Sequence, residues 1–161
     1  LLEEEGSSRH VFVRKCLESV DGEFDYILLD SPPGLQMLTI SSLVAADAVL
    51  VPQQTSFMAL HGLRQLQESI ERVQEDLNPD LSILGILMTM QDRRTIHNQQ
   101  VIDMVRDGFG DLVFDTVIPT TVRVQEAAAS GEPITEYDRS NPAAKAYEAL
   151  AKEVIERGTQ T

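Results

Sequence analysis

Short apolar runs and amphipathic helical stretches take turns along this chain, and that alternation constrains the fold more than any single motif. Apolar runs lie at 25–29, 47–52, 81–90 and 112–119. Between them come stretches with helical spacing. Leu60, Leu63, Leu66, Ile70, Val73 and Leu77 recur every three or four residues and stop at the Asn-Pro-Asp of 78–80. Further helices are predicted over 8–20 on Val13, Cys16, Leu17 and Val20, over 36–46, over 95–107 on Val101, Ile102 and Val105, and over 141–156 on Ala144, Tyr147, Leu150, Ala151, Val154 and Ile155. Residues 133–137 read as a short extra strand, and Pro52 reads as the end of the run before it. Strands that are apolar throughout are buried on both faces, so the expected fold is α/β, a mostly parallel sheet flanked by helices. In that architecture ligands bind beyond the carboxyl ends of the strands. Asp30, Pro52, the stretch 91–95 and Pro119 all fall there.

The run at 24–34, FDYILLDSPPG, ends on a lone carboxylate followed by two prolines and a glycine. An aspartate fixed at a strand tip can orient water on Mg²⁺. Gly34 adds no side-chain bulk, so a backbone N–H there can approach a phosphate closely. Pro32 and Pro33 fix φ and lower the entropy cost of ordering the bend. The spacing alone is equally that of a strand ending in an Asp-initiated turn.

Composition narrows the function classes. With 161 residues the chain has one domain's worth of length and enough to bury a core. Aromatics are 5% against 42% apolar residues, so that core is mostly aliphatic. No run approaches the ~18 apolar residues of a membrane span, and residues 1–10 lack the basic-then-apolar order of a signal peptide. A single cysteine, Cys16, excludes an internal disulfide framework and suits a reducing cytoplasm. The 26 acids against 13 bases give a net charge of −13, which argues against a surface built to coat nucleic acid. Acid excess with only three lysines (15, 145, 152) fits either a high-salt cytoplasm or an ordinary acidic protein.

Other polar residues read as structural. Cys16 at core spacing is a packing residue, and nothing near it suggests an activated thiolate. His10, His61 and His97 have no metal-ligand spacing. Ser31 lacks the Gly-x-Ser-x-Gly frame of a hydrolase nucleophile. Met88 and Met90 alternate on a strand and read as core, and Asp47 as a turn or cap. The closing helix is rich in Ala and Glu, unlike a basic membrane-binding helix.

FDYILLDSPPG is followed by AADAVLVPQQTSFMALHGLRQL (45–66), LNPDLSILGILMTMQDRRT (77–95), FGDLVFDTVIPTTVRVQEAAASGEPI (109–134) and AKAYEALAKEVIERG (144–158). In this order the blocks resemble the ParA/Soj branch of the deviant-Walker ATPases, relatives of MinD, over about residues 22–157. The resemblance implies that Asp30 is the Walker B aspartate, acting on Mg²⁺ through water. It implies that Pro32, Pro33 and Gly34 form the γ-phosphate switch, and that Pro119, Val122 and Glu126 border the adenine of ATP. It also implies a homodimer that sandwiches ATP, a ParB-like activator, nonspecific DNA binding and a role in chromosome or plasmid partitioning. Arg93, Arg94 and Arg123 lie where the family uses arginines on phosphate backbones.

Departures accompany these matches. The family's glycine-rich phosphate loop ends in Gly-Lys, and no Gly-Lys pair occurs in this chain. Lys15, its earliest lysine, lies in a predicted helix. Thr120 stands where an arginine is typical and Ala128 where a proline is typical. The carboxylates offer the arginines an alternative set of partners. Two readings follow for residues 1–161, taken as one ParA-like domain truncated at its amino end. One is part of a Mg-ATP-driven partitioning switch; the other is a nonhydrolysing or truncated interaction module.

Overall fold

Three of the four apolar runs form one sheet in the computed structural model, which describes residues 11–20, 22–32, 34 and 36–159. Strands β1 (Ala48–Gln54), β2 (Ser82–Gln91) and β3 (Val113–Pro119) build a parallel sheet in the order β1-β2-β3. Helices α1 (Phe12–Leu17), α2 (Met37–Ala45), α3 (Phe57–Asp76), α4 (Ile96–Phe109), α5 (Val122–Ser130), α6 (Ile134–Tyr137) and α7 (Pro142–Gly158) fill the intervals. The expected α/β class is the observed one. β1 runs through Pro52 to Gln54 rather than stopping at the proline. Among the described residues β1 is a terminal strand of the sheet, the kind of strand on which proline is tolerated, and Pro52 is exposed.

The described residues divide into two units, those up to Val49 together with Arg64–Ser82, and Leu50–Leu63 together with those from Ile83 onward. In the second, Leu87, Phe114 and Ile118 are buried, with Leu50, Leu84 and the α7 residues Ala146, Leu150 and Val154 packed against them. A satellite cluster joins Ala127, Ile134, Ala143 and Ala144. On α4, Val101, Ile102 and Val105 are buried as expected. Asn141 caps α7, its side chain accepting from the Ala143 N–H at 3.0 Å. Residues 134–137 form one helical turn instead of a strand, because Pro133 stands at its N-cap and the Glu136 and Tyr137 amides both donate to the Pro133 carbonyl.

Both register shifts lie between β2 and β3. From Ile86↔Val113 to Met88↔Val117, β3 advances four residues while β2 advances two. From Met88↔Val117 to Gln91↔Pro119, β2 carries the extra residue, and Met90 there has φ +56. Met90 is therefore exposed rather than core, whereas Met88 is fully buried. Bulges of this kind redirect side chains at sheet ends.

In the first unit, the Arg14 guanidinium donates to the Val44 carbonyl, tying α1 to α2. Buried Asn78, read from sequence only as a helix stop, donates its amide to the carbonyls of Leu43 (2.9 Å) and Ala46 (2.8 Å). It thereby satisfies acceptors that the end of α2 leaves open. Cys16 is exposed on the short α1, not packed, since a helix of two turns buries little of its surface.

The largest departure is at 24–32. These residues carry no strand, and Leu28 is 91% exposed. A strand is defined by ladder bonds to a neighbour, and among the described residues none pairs with this segment.

Candidate functional site

Polar residues just beyond the strands tie the carboxyl end of the sheet together. The Thr55 N–H donates to the Thr89 carbonyl at 3.1 Å, joining the end of β1 to β2. The buried Thr55 hydroxyl lies 3.1 Å from the Met90 carbonyl and 3.0 Å from Asn98 Oδ1, its one proton shared between them. Asn98 returns a bond from Nδ2 to the Thr55 carbonyl at 3.0 Å, and its Oδ1 accepts from the Asp92 N–H at 2.6 Å. The Thr120 N–H closes the set on the Gln91 carbonyl at 2.9 Å. The left-handed backbone of Met90, which costs an L-residue about 1–2 kcal/mol, is thus held between two hydrogen-bonded neighbours. Phe57 and His97 meet edge to face beside this rim, 5.2 Å between centroids.

An open groove of about 410 Å³ lies in the same unit, lined by Gln91, Arg93, Thr95, Gln99, Asp115 and Val117. Arg93 faces this groove, while the other two candidate arginines are engaged. Arg94 forks onto Asp92, Nε to Oδ1 at 3.1 Å and Nη2 to Oδ2 at 3.2 Å. Those bonds and the Arg94 amide hold the Asp92 carboxyl below its ordinary range. Arg123 reaches Glu126 at 2.7 Å and Asp138 at 3.4 Å and lies over the Tyr137 ring. The Ser140 hydroxyl foremost, with Asn141 and Arg123 behind it, lowers the Asp138 carboxyl. Pro119 is buried at the end of β3, Val122 is exposed, and Glu126 is half-buried. Thr121 caps α5 by accepting from the Arg123 N–H at 3.2 Å.

Asp30 belongs to the other unit, where its carboxylate is exposed. The bend after it is stapled from α2: the Thr39 hydroxyl lies 2.8 Å from the Gly34 carbonyl and 3.2 Å from the Pro32 carbonyl. Gly34 has φ +93, which an L side chain rarely adopts. Pro33 lies outside the described residues. Thr39 was missed from sequence, although a hydroxyl three residues into a helix after a glycine bend is a known turn-closing position. Asn98 was missed too, and nothing in the pattern separates it from Gln99 and Gln100. Among the described residues no three His, Cys, Asp or Glu side chains converge on a metal-sized site. No helix there is long and apolar enough to cross a membrane.

A family model described as an AAA domain matches residues 1–83. The chain is 48% identical over 147 residues to the chromosome partitioning protein ParA of Caulobacter vibrioides, covering 90% of this chain and 55% of that protein. It is 46% identical over 151 residues to the sporulation initiation inhibitor protein Soj of Bacillus subtilis, covering 94% of this chain and 60% of that one. Cobyrinic acid a,c-diamide synthase from Mycobacterium smegmatis, solved with a bound ATP analog and magnesium, superposes with a TM-score of 0.75 at 34% identity over 89% of this chain and 53% of the synthase. The chain therefore spans between half and three-fifths of the length of these relatives.

Proposed function

Because the chain belongs to the ParA/MinD superfamily of ATPases, we propose that it serves as part of a Mg-ATP-driven partitioning switch of the ParA/Soj kind. The similarity to the Caulobacter and Bacillus proteins over nine-tenths of the chain supports this reading most directly. Asp30 supplies the carboxylate for Mg²⁺ through water, the stapled Pro32–Gly34 bend responds to the γ-phosphate, and Pro119, Val122 and Glu126 border the base. Magnesium would neutralise charge on the phosphates when bound. The donor set fits the metal side of such a site: Asp30 is exposed and the Gly34 backbone is unobstructed. It does not supply the cationic phosphate loop, for no Gly-Lys pair is present. Homodimerisation, a ParB-like activator and a cytoplasmic, chromosomal or plasmid setting belong to the same proposal.

A specific observation favours a second reading, an interaction module without turnover. The chain has no phosphate-loop lysine, and Arg94 and Arg123 are committed to carboxylates. DNA contact, if made, then falls mainly to Arg93, and its salt dependence should flatten in Arg93→Ala. Calorimetry on the purified chain separates the readings. The switch predicts weak nucleotide binding that requires Mg²⁺ and is lost in Asp30→Asn, without measurable turnover by this chain alone. Binding indifferent to both Mg²⁺ and Asp30, or no binding at all, would leave the module.

A further inference from the structure

Arg93 and Arg94 are neighbours in the chain, yet their surroundings treat them differently. Arg93 makes no ion pair among the described residues and faces the groove beside α4. Arg94 is forked onto Asp92 while its side chain stays 90% exposed. An ion pair so open to water adds little to folding stability. It does fill the guanidinium fork, the surface that would meet an incoming anion. Asp92 is anchored through its backbone. Its N–H donates to Asn98 Oδ1 at 2.6 Å, and its carbonyl accepts from the Thr95 N–H at 3.1 Å and the Thr95 hydroxyl at 2.9 Å. Its Oδ1 also accepts from the Arg94 N–H at 3.0 Å. Asn98 is bonded in turn to buried Thr55. The carboxylate is thus the fixed member of the pair, and the long arginine side chain is the movable one. Arg123 makes the contrast: its side chain is 51% exposed, Glu126 and Asp138 both hold it, and it lies over the Tyr137 ring. Arg94 has one carboxylate and no ring. It also stands just before α4, whose first turn has no side-chain cap because the Thr95 hydroxyl turns back to Asp92. The positive end of that helix and both arginines therefore collect at one place.

We propose that Asp92 is a displaceable guard on Arg94, its carboxylate filling the guanidinium fork that a phosphate of duplex DNA takes when the two meet. This rests on the partitioning reading, which supplies the DNA, and adds a control on that contact. With the fork filled, a chain of net charge −13 presents only Arg93 of its three candidate arginines and has little hold on a duplex. A phosphodiester offers the guanidinium the same paired oxygens as a carboxylate. Because the arginine is the movable member, it can exchange one for the other without any shift of the loop backbone. A duplex fits better than a lone anion, since neighbouring phosphates can engage Arg93 and Arg94 at once. Asn98 and Thr55 act as positioning residues: they hold the backbone that carries the guard.

The test is fluorescence anisotropy of the whole chain with a labelled random-sequence duplex, over a series of salt concentrations. Asp92→Asn keeps an acceptor for the Arg94 N–H and removes the charge. It should bind about fivefold more tightly at low salt, and the slope of log affinity against log salt should steepen by about one. Asp107→Asn removes the same charge from an exposed position on α4 and should leave both nearly unmoved. Arg94→Ala should cost the wild-type chain little, yet cancel the whole gain when combined with Asp92→Asn. NMR of the Arg94 Nε–H checks the pair without DNA: it should exchange slowly in the wild-type chain and quickly in Asp92→Asn. Rapid exchange in the wild-type chain overturns the guard. So do equal gains from Asp92→Asn and Asp107→Asn, a gain that survives Arg94→Ala, or a gain on labelled polyglutamate with none on the duplex. If the wild-type chain binds the duplex and Asp92→Asn binds it no tighter, the guard alone falls. If no variant binds the duplex, the DNA part of the partitioning reading falls with it.

Discussion

Two segments of this molecule read alike and fold differently. Residues 24–30 and 82–91 are both rich in apolar residues and bounded by polar ones. In the second, β2 lies between β1 and β3, and Leu87 is 5% exposed. In the first, the backbone carries no ladder, and Leu28 is 91% exposed. Apolar sequence sets how much a segment gains by burial, about 25 cal/mol per Å². It does not supply the lateral partner that turns extended chain into sheet. β2 has partners on both sides and becomes the core. Residues 24–30 have none among the described residues, so the same pattern lies open to solvent.

The comparison breaks most forcefully at Leu87. It is buried against Phe114 and Ile118 with α7 above it, so Leu87→Ala removes transfer energy and leaves a cavity. The expected cost is about 3 kcal/mol, read as a lower midpoint in urea unfolding at unchanged slope. A loss below about 1 kcal/mol would mean that this unit's core is far looser than its packing indicates.

That contrast also explains what the sequence made legible. Helices α3, α4 and α7 were readable because their apolar spacing is a property of the helix itself, and Val101, Ile102 and Val105 are buried as the spacing requires. On α7 the pattern overstated the buried face: Ala144 is buried, yet Ala151 and Ile155 are exposed. Strands were readable only as appetite for burial. The bulges and the exposure of Met90 depend on register between segments distant in sequence, which no local pattern encodes. Asp30 and the Pro-Pro-Gly bend were visible as a motif, whereas the Thr39 staple and the Thr55–Asn98 link arise from tertiary proximity. The carboxylate partners of Arg94 and Arg123 were legible as an alternative because acids outnumber bases two to one.

Met90 sharpens the comparison inside β2 itself. It sits two residues beyond fully buried Met88 on an apolar strand, yet the extra residue in β2 turns it to solvent with φ +56. Glycine adopts that conformation without the penalty of about 1–2 kcal/mol that an L-residue meets, although it gives up about 0.5–1 kcal/mol of unfolded-chain entropy. Met90→Gly should therefore stabilise the chain by up to about 1 kcal/mol, and Met90→Val should destabilise it. Thermal unfolding of the pair is the measurement. If the valine chain melts at or above the glycine chain, the left-handed assignment is wrong.

The smallest effect lies in the exposed segment and is the most discriminating. Leu28 has almost its whole side chain in solvent, and its residue makes no ladder bond among the described residues. Leu28→Ser should then shift folding stability by no more than about 0.5 kcal/mol, the range of surface substitutions away from special features. It should also reduce binding of a dye such as ANS, because it removes one member of an exposed apolar run that includes Phe24, Tyr26 and Ile27. The two readouts separate an open segment from a packed one. A buried leucine would lose several kcal/mol on the same change, because a polar hydroxyl would be left without water and a cavity would open around it. If Leu28→Ser costs as much as Leu87→Ala, residues 24–30 have a partner in solution, and burial there must be supplied by another segment or another chain. If it costs nothing while dye binding falls, the contrast with β2 stands: identical appetite, and only one of the two segments with a neighbour to satisfy it.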